Sequence, residues 1–71
     1  MAATCYLCGR PVYSDGKGDC APQEDHVTPG QPQTVWTHAW CNQVKGAGSV
    51  GDAKRAIGEH FRRGTAPRCL G

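Results

Sequence analysis

Large apolar side chains are scarce in this sequence, and their scarcity limits what can hold the chain together. Only 38% of its 71 residues are hydrophobic, and the aromatic residues are two tryptophans, two tyrosines and one phenylalanine. A chain this short buries a small share of its surface. Ten glycines and five prolines add conformational entropy to the unfolded state or interrupt regular elements. We therefore expect a staple, such as a metal ion or disulfide bonds, to support the hydrophobic core.

Long apolar segments are also missing, which argues against a membrane partner. No stretch approaches the roughly 20 apolar residues that cross a bilayer as a helix. The segment 1–4 lacks the basic and apolar regions of a secretory signal. We therefore expect a cytoplasmic protein, in a compartment where thiols stay reduced.

Four residues form two pairs with the spacing of zinc ligands, Cys5-x-x-Cys8 and His38-x-x-Cys41. Two-residue spacing places both ligand atoms of a pair on one side of a turn or first helical turn. Four nitrogen and sulfur ligands suit the tetrahedral preference of zinc and leave no open position. The pairs predict a structural zinc ion whose binding supplies folding energy. The alternative is that the cysteines are buried thiols and His38 is a surface residue.

The remaining cysteines, Cys20 and Cys69, have no partner two residues away. An odd total of five cysteines argues against a complete disulfide framework. Cys20 stays open as a competing zinc ligand, whereas Cys69 is expected to be a free thiol.

The pattern of apolar and turn residues predicts a small α+β domain over residues 1–64 and a flexible tail over 65–71. A short strand is expected at 12–13, a surface loop at 14–22, and hairpin strands at 24–28 and 34–37 on either side of a proline-glycine turn. A short helix follows over 38–45. The last helix begins after Ser49 and ends at Gly64, and its apolar stripe consists of Val50, Ala53, Ile57 and Phe61. Trp36 and Trp40 are expected in the core.

Between the two ligand pairs lies Glu24-Asp25-His26-Val27, and Asn42 directly follows the last ligand, ahead of Lys45-Gly46. This order of CxxC, DHV and HxxCN resembles the HNH or His-Me finger endonucleases, above all the branch of recombination endonuclease VII. In that branch a zinc module anchors a ββα-metal element. The resemblance covers Cys5 to about Gly46 and implies metal-dependent hydrolysis of DNA phosphodiester bonds by a phage-related protein.

The resemblance also implies roles for three residues. His26 would be the general base that takes a proton from the attacking water. Asp25 and the side-chain oxygen of Asn42 would hold Mg²⁺ or Mn²⁺, which prefer oxygen ligands. Because adjacent strand residues point to opposite faces, we expect a backbone irregularity near Pro29 to bring Asp25 and His26 together.

Three positions depart from the family pattern. Gln33 stands where the family has asparagine, Thr28 where relatives have a second histidine, and His38 where they have a zinc cysteine. One alternative is a catalytically inactive zinc module of the same fold that binds DNA or a protein partner. Another is a zinc-ribbon-like adaptor with no link to nucleic acid.

Positive charge is concentrated in residues 45–71, which hold six basic groups against Asp52 and Glu59. Such asymmetry favours a nucleic-acid-facing surface, although an ordinary solvated helix face has the same composition. The predicted DNA contacts are Lys45, Lys54, Arg55, Arg62 and Arg63.

Overall fold

Two small antiparallel sheets and two helices make up the fold. A computed structural model describes residues 2–26, 30 and 32–70. The elements are β1 (Ala2–Thr4), β2 (Pro11–Tyr13), β3 (Pro22–His26), β4 (Thr34–His38), α1 (Ala39–Lys45) and α2 (Val50–Arg63), with 3-10 turns at Gly18–Cys20 and Arg68–Leu70. The predicted small α+β architecture is confirmed. In the part of the chain so described, no helix is long and apolar enough to cross a membrane.

The first sheet pairs β1 with β2 and holds the N-terminal segment in place. Ala3 lies opposite Val12, and Val12 is almost fully buried. The short strand expected at Val12 is present, whereas β1 was not predicted. The turn between the two strands carries the first pair of cysteines.

The second sheet is the predicted hairpin, formed by β3 and β4. Its register runs from the Pro22–His38 pair to the His26–Thr34 pair. β3 begins at Pro22, inside the segment expected to be a surface loop. Residues 27–29 and 31, which include parts of the predicted strand and turn, lie outside the described residues.

Both predicted helices are present, and each ends as its sequence indicates. α1 begins directly after β4 and stops at Gly46, which has a positive φ of 52°. The Ser49 side chain accepts a hydrogen bond from the Asp52 backbone N–H at the start of α2. Directly after α2, Gly64 adopts the left-handed conformation that glycine takes without steric cost, and this ends the helix.

The core is small and lies between α2, the cysteine-bearing turn and the sheets. Its buried members are Cys5, Leu7, Val12, Cys41, Ala53, Ile57 and Leu70. Val50 and Phe61 pack against this core, so the predicted apolar stripe of α2 is confirmed. Trp40 also packs against it, but the prediction for Trp36 is wrong. Trp36 is 44% exposed because the buried neighbour Thr37 takes the inward-facing position of β4.

The C-terminal segment also differs from its prediction as a flexible tail with a free thiol. Cys69 forms a disulfide bond with Cys20. Leu70, in the final 3-10 turn, is only 3% exposed and belongs to the core. The segment is thus attached both covalently and by apolar packing.

Candidate metal centre

The first ligand pair lies in a tight turn between β1 and β2. The Gly9 backbone N–H donates to the Cys5 carbonyl at 2.9 Å, and the Cys5 N–H donates to the Arg10 carbonyl at 2.9 Å. Gly9 has a φ of 78°, which closes the turn at a position where other residues are strained. The Cys8 N–H points at the Cys5 sulfur, at 3.4 Å. The turn therefore brings the Cys5 and Cys8 sulfur atoms together, with the Cys8 backbone N–H directed at the Cys5 sulfur.

The second ligand pair lies at the junction of β4 and α1. His38 is the last residue of β4 and directly precedes α1, and Cys41 lies in the first turn of that helix. Residues three apart share one side of a helical turn. Both side chains are buried, at 2% and 0% exposure. The two-residue spacing thus places the His38 and Cys41 side chains on one side of the turn, as predicted.

The four side chains form one compact cluster of possible metal ligands. One ligand atom from each of Cys5, Cys8, His38 and Cys41 lies within 4.8 Å of all the others. The His38 Nδ1 atom is 3.4 Å from the Cys8 sulfur and 3.7 Å from the Cys41 sulfur. Zinc bonds of about 2.3 Å to sulfur and about 2.0 Å to nitrogen imply edges of about 3.6 Å in a tetrahedron. The cluster could therefore bind a zinc ion with little rearrangement.

A backbone carbonyl selects the tautomer of His38 that such an ion requires. The Nε2 atom of His38 lies 2.8 Å from the carbonyl oxygen of Pro11. A carbonyl oxygen only accepts hydrogen bonds, so the ring proton resides on Nε2. The lone pair of Nδ1 is then directed at the cysteine sulfurs. Hydrogen bonds of this kind orient histidine ligands in metal sites.

The three thiols differ in acidity because of their burial and their effects on one another. The neighbouring Cys41 thiol lowers the pKa of Cys5 to about 4. The proximity of Cys5 in turn raises the pKa of Cys41, and burial adds to the shift, since ionisation of Cys41 would place a second negative charge beside Cys5. Burial raises the pKa of Cys8. Near neutral pH, the metal-free cluster therefore carries one thiolate, on Cys5.

A second polar contact joins β3 to the end of α1. The Lys45 Nζ atom lies 3.2 Å from Asp25 Oδ2, and these side chains are 12% and 20% exposed. Asn42 precedes Lys45 by three residues and lies on the same side of α1. The Asp25 carboxylate therefore lies close to the side of α1 that carries Asn42, and both residues belong to the predicted catalytic set.

The predicted base, His26, lies apart from this contact. It is the last residue of β3, is exposed, and pairs regularly with Thr34. Because Asp25 is directed at α1, strand alternation directs His26 to the opposite face. The irregularity expected near Pro29, and Thr28 with it, fall outside the described residues, and Gln33 is exposed.

The predicted DNA contacts on α2 are accessible, but most of them already have partners. Arg62 and Arg63 both pair with Glu59, at 3.5 and 3.3 Å. The Lys54 ammonium lies 5.1 Å from the centre of the Tyr6 ring. All four are exposed on α2: Lys54, Arg55, Arg62 and Arg63. Lys45, the fifth predicted contact, is largely buried against Asp25.

Sequence reasoning missed one participant in the site, the Pro11 carbonyl, and left Cys20 open as a ligand. The Pro11 carbonyl could not be identified, because any residue offers this acceptor and only the fold brings it to His38. Cys20 was considered as a zinc ligand, but its bond to Cys69 excludes it from the cluster. Comparison with protein-family models, curated proteins and solved structures found no significant match.

Proposed function

We propose that this chain is a zinc-stabilised, metal-dependent DNA endonuclease of the HNH type that hydrolyses phosphodiester bonds. The observation that supports the proposal most directly is the 3.2 Å contact between Asp25 on β3 and Lys45 on α1. It brings a strand carboxylate to the side of the helix that also carries Asn42. The proposal includes a zinc ion bound by Cys5, Cys8, His38 and Cys41.

The zinc cluster would act by positioning, since all four of its ligands are protein groups. It joins the β1–β2 turn to the β4–α1 junction, and Asn42 directly follows the ligand Cys41. Loss of the cluster would leave the start of α1, and with it Asn42, without a fixed orientation to Asp25.

The second ion would be Mg²⁺ or Mn²⁺, and the residues at Asp25 suit such an ion. The Asp25 carboxylate already faces a cationic group, the Lys45 ammonium, and Asn42 adds an amide oxygen of the kind these ions accept. A divalent ion bound there supplies positive charge beside the scissile phosphate and the departing 3′-oxygen. In this proposal His26 accepts the proton of the attacking water at a ring nitrogen.

A plasmid-nicking assay tests the proposal. Zinc-loaded protein would be incubated with supercoiled plasmid and Mg²⁺ or Mn²⁺, beside His26→Ala and Asp25→Asn. We expect metal-dependent nicking that falls about 100-fold or more in His26→Ala, the lower range for general-base catalysis, and that is lost with the metal site in Asp25→Asn. Asp15→Asn, which removes an exposed carboxylate in a loop, is the matched control and should nick like the parent protein. Equal activity in all four proteins would indicate a contaminating nuclease and refute the proposal.

The second candidate function is a non-catalytic zinc module of the same fold that binds DNA or a protein partner. It is favoured by the Lys45 ammonium, which already neutralises Asp25, and by the position of His26 on the opposite face of β3. Absence of nicking together with salt-sensitive DNA binding would select this candidate. Absence of both would select an adaptor that binds protein.

A further inference from the structure

The ion pair between Asp25 and Lys45 differs from the other ion pairs recorded in the described part of the chain. Those two pairs link Glu59 to Arg62 and to Arg63 within α2, and their side chains are 46–75% exposed. The Asp25–Lys45 pair instead joins two separate elements, and its side chains are only 12–20% exposed. It is therefore less screened by solvent and occupies a defined place in the fold.

Lys45 is also an easily displaced partner. Its ammonium is a compact point charge on a flexible stem, unlike the rigid fork of an arginine. Lys45 is the last residue of α1, and Gly46 ends the helix directly after it. No further helical turn follows Lys45, so its side chain can move away from Asp25 without disturbing one. The contact joins two side chains, whereas β3 and β4 pair through their backbones.

A divalent cation on Asp25 and the ammonium of Lys45 would compete for the same charge. The ammonium lies 3.2 Å from Oδ2, and a bound Mg²⁺ would lie at about 2.1 Å from a carboxylate oxygen. Two cations this close repel strongly in a partly buried site. Occupation of Asp25 by one of them therefore weakens its interaction with the other.

We infer that Lys45 is a displaceable counter-ion that holds the cation position at Asp25 until a divalent ion takes its place. The inference rests on the proposed function and adds a regulatory step to it. Once displaced, the ammonium lies beside the ion and is free to bind a substrate phosphate. Metal binding and DNA binding then strengthen each other, because each favours the arrangement in which Lys45 has left Asp25.

The first test measures Mn²⁺ binding by electron paramagnetic resonance on zinc-loaded protein, with no reaction required. Lys45→Met keeps most of the aliphatic stem and removes the charge, so it should bind Mn²⁺ about tenfold more tightly, a typical size for coupled sites. Lys45→Arg retains a cation that is harder to displace from a carboxylate, so it should bind Mn²⁺ no more tightly than the parent protein does. Lys17→Met removes an exposed loop lysine and controls for net charge. Lys45→Gln is a second neutral variant, should Lys45→Met fail to retain zinc.

The outcomes separate the inference from the function on which it rests. Equal or weaker Mn²⁺ binding by both neutral Lys45 variants, with binding lost in Asp25→Asn, would overturn the inference and leave the metal site in place. Undiminished Mn²⁺ binding by Asp25→Asn, or no binding by any of the proteins, would overturn both.

A second measurement tests the role of the released ammonium. In the His26→Ala background, which blocks cleavage, Mn²⁺ should increase the affinity for a short DNA duplex measured by fluorescence anisotropy. Adding Lys45→Met should remove most of this increase, even though Mn²⁺ itself binds more tightly. An increase of the same size in the double variant would contradict release of Lys45 to the phosphate.

Discussion

At the residue scale, the cluster is held together by hydrogen bonds that order its donors before any ion binds. Pro11 accepts from His38, Cys5 accepts from the Cys8 backbone, and the neighbouring Cys41 thiol favours the thiolate of Cys5. These bonds fix the histidine tautomer and concentrate negative charge on one sulfur. A cation that enters meets a thiolate and an imidazole lone pair that are already oriented, which lowers the reorganisation needed for binding.

The unequal acidities of the thiols predict how zinc binding depends on pH. Zinc is bound by thiolates, and near neutral pH only Cys5 is ionised, because its pKa is lowered to about 4 while those of Cys8 and Cys41 are raised. Binding at pH 7.5 should therefore release about two protons, and the affinity should rise about 100-fold for each pH unit around that pH. Calorimetry in buffers of different ionisation enthalpy measures both quantities.

Two cysteine variants control this prediction. Cys8→Ser removes a donor and should abolish tight zinc binding and unfold the domain, since structural zinc contributes about 10–16 kcal/mol, as much as the whole stability of a typical domain. Cys69→Ser removes a cysteine outside the cluster and should still bind one zinc per chain. Proton release near zero, or a folded Cys8→Ser protein without metal, would contradict the assignment of the cluster.

At the element scale, α2 contributes Ala53 and Ile57 to the buried core outside the cluster. Ile57 lies on its inner face and is 2% exposed. We expect Ile57→Ala to destabilise the zinc-loaded protein by about 2–5 kcal/mol, through lost burial and the cavity that remains. Urea unfolding followed by circular dichroism measures the change. Arg55→Ala, on the exposed face of the same helix, is the control and should change the free energy of unfolding by less than about 0.5 kcal/mol. An equal effect of the two substitutions would refute the packing described for α2.

The same elements illustrate what the sequence can predict. The ligand spacing, the cap at Ser49 and the apolar stripe of α2 are local patterns, and each is found as expected. β1 was missed because a three-residue strand has no periodicity of its own and exists only through pairing with β2. The exposure of Trp36 was missed because the inward face of β4 depends on the strand register, which places Thr37 inside. The catalytic roles stay predictions, and so does the cytoplasmic location, although the Cys20–Cys69 disulfide departs from the expectation of reduced thiols on which that location was based.

At the scale of the whole molecule, two cross-links constrain a chain with a small core. The zinc-type cluster connects residues 5–8 to residues 38–41, and the Cys20–Cys69 disulfide connects the 3-10 turn before β3 to the C-terminal segment. The pairing of Cys20 with Cys69 could not be predicted, since 49 residues separate them and only the folded chain brings them together. Together the two cross-links restrict most of the sequence.

The disulfide predicts a measurable contribution that is independent of the metal. Closing a loop of about 50 residues in the unfolded chain corresponds to about 4 kcal/mol in the chain-entropy description. The double variant Cys20→Ser/Cys69→Ser should therefore unfold at a lower urea concentration while still binding one zinc. If zinc stays bound to the unfolded chain, the cluster already restricts part of this loop. Removal of the disulfide should then lower the free energy of unfolding less than it does in metal-free protein. Hydrogen exchange should also quicken around Leu70, whose packing the disulfide supports. An unchanged urea midpoint with unchanged exchange at Leu70 would mean that apolar packing alone holds the C-terminal segment.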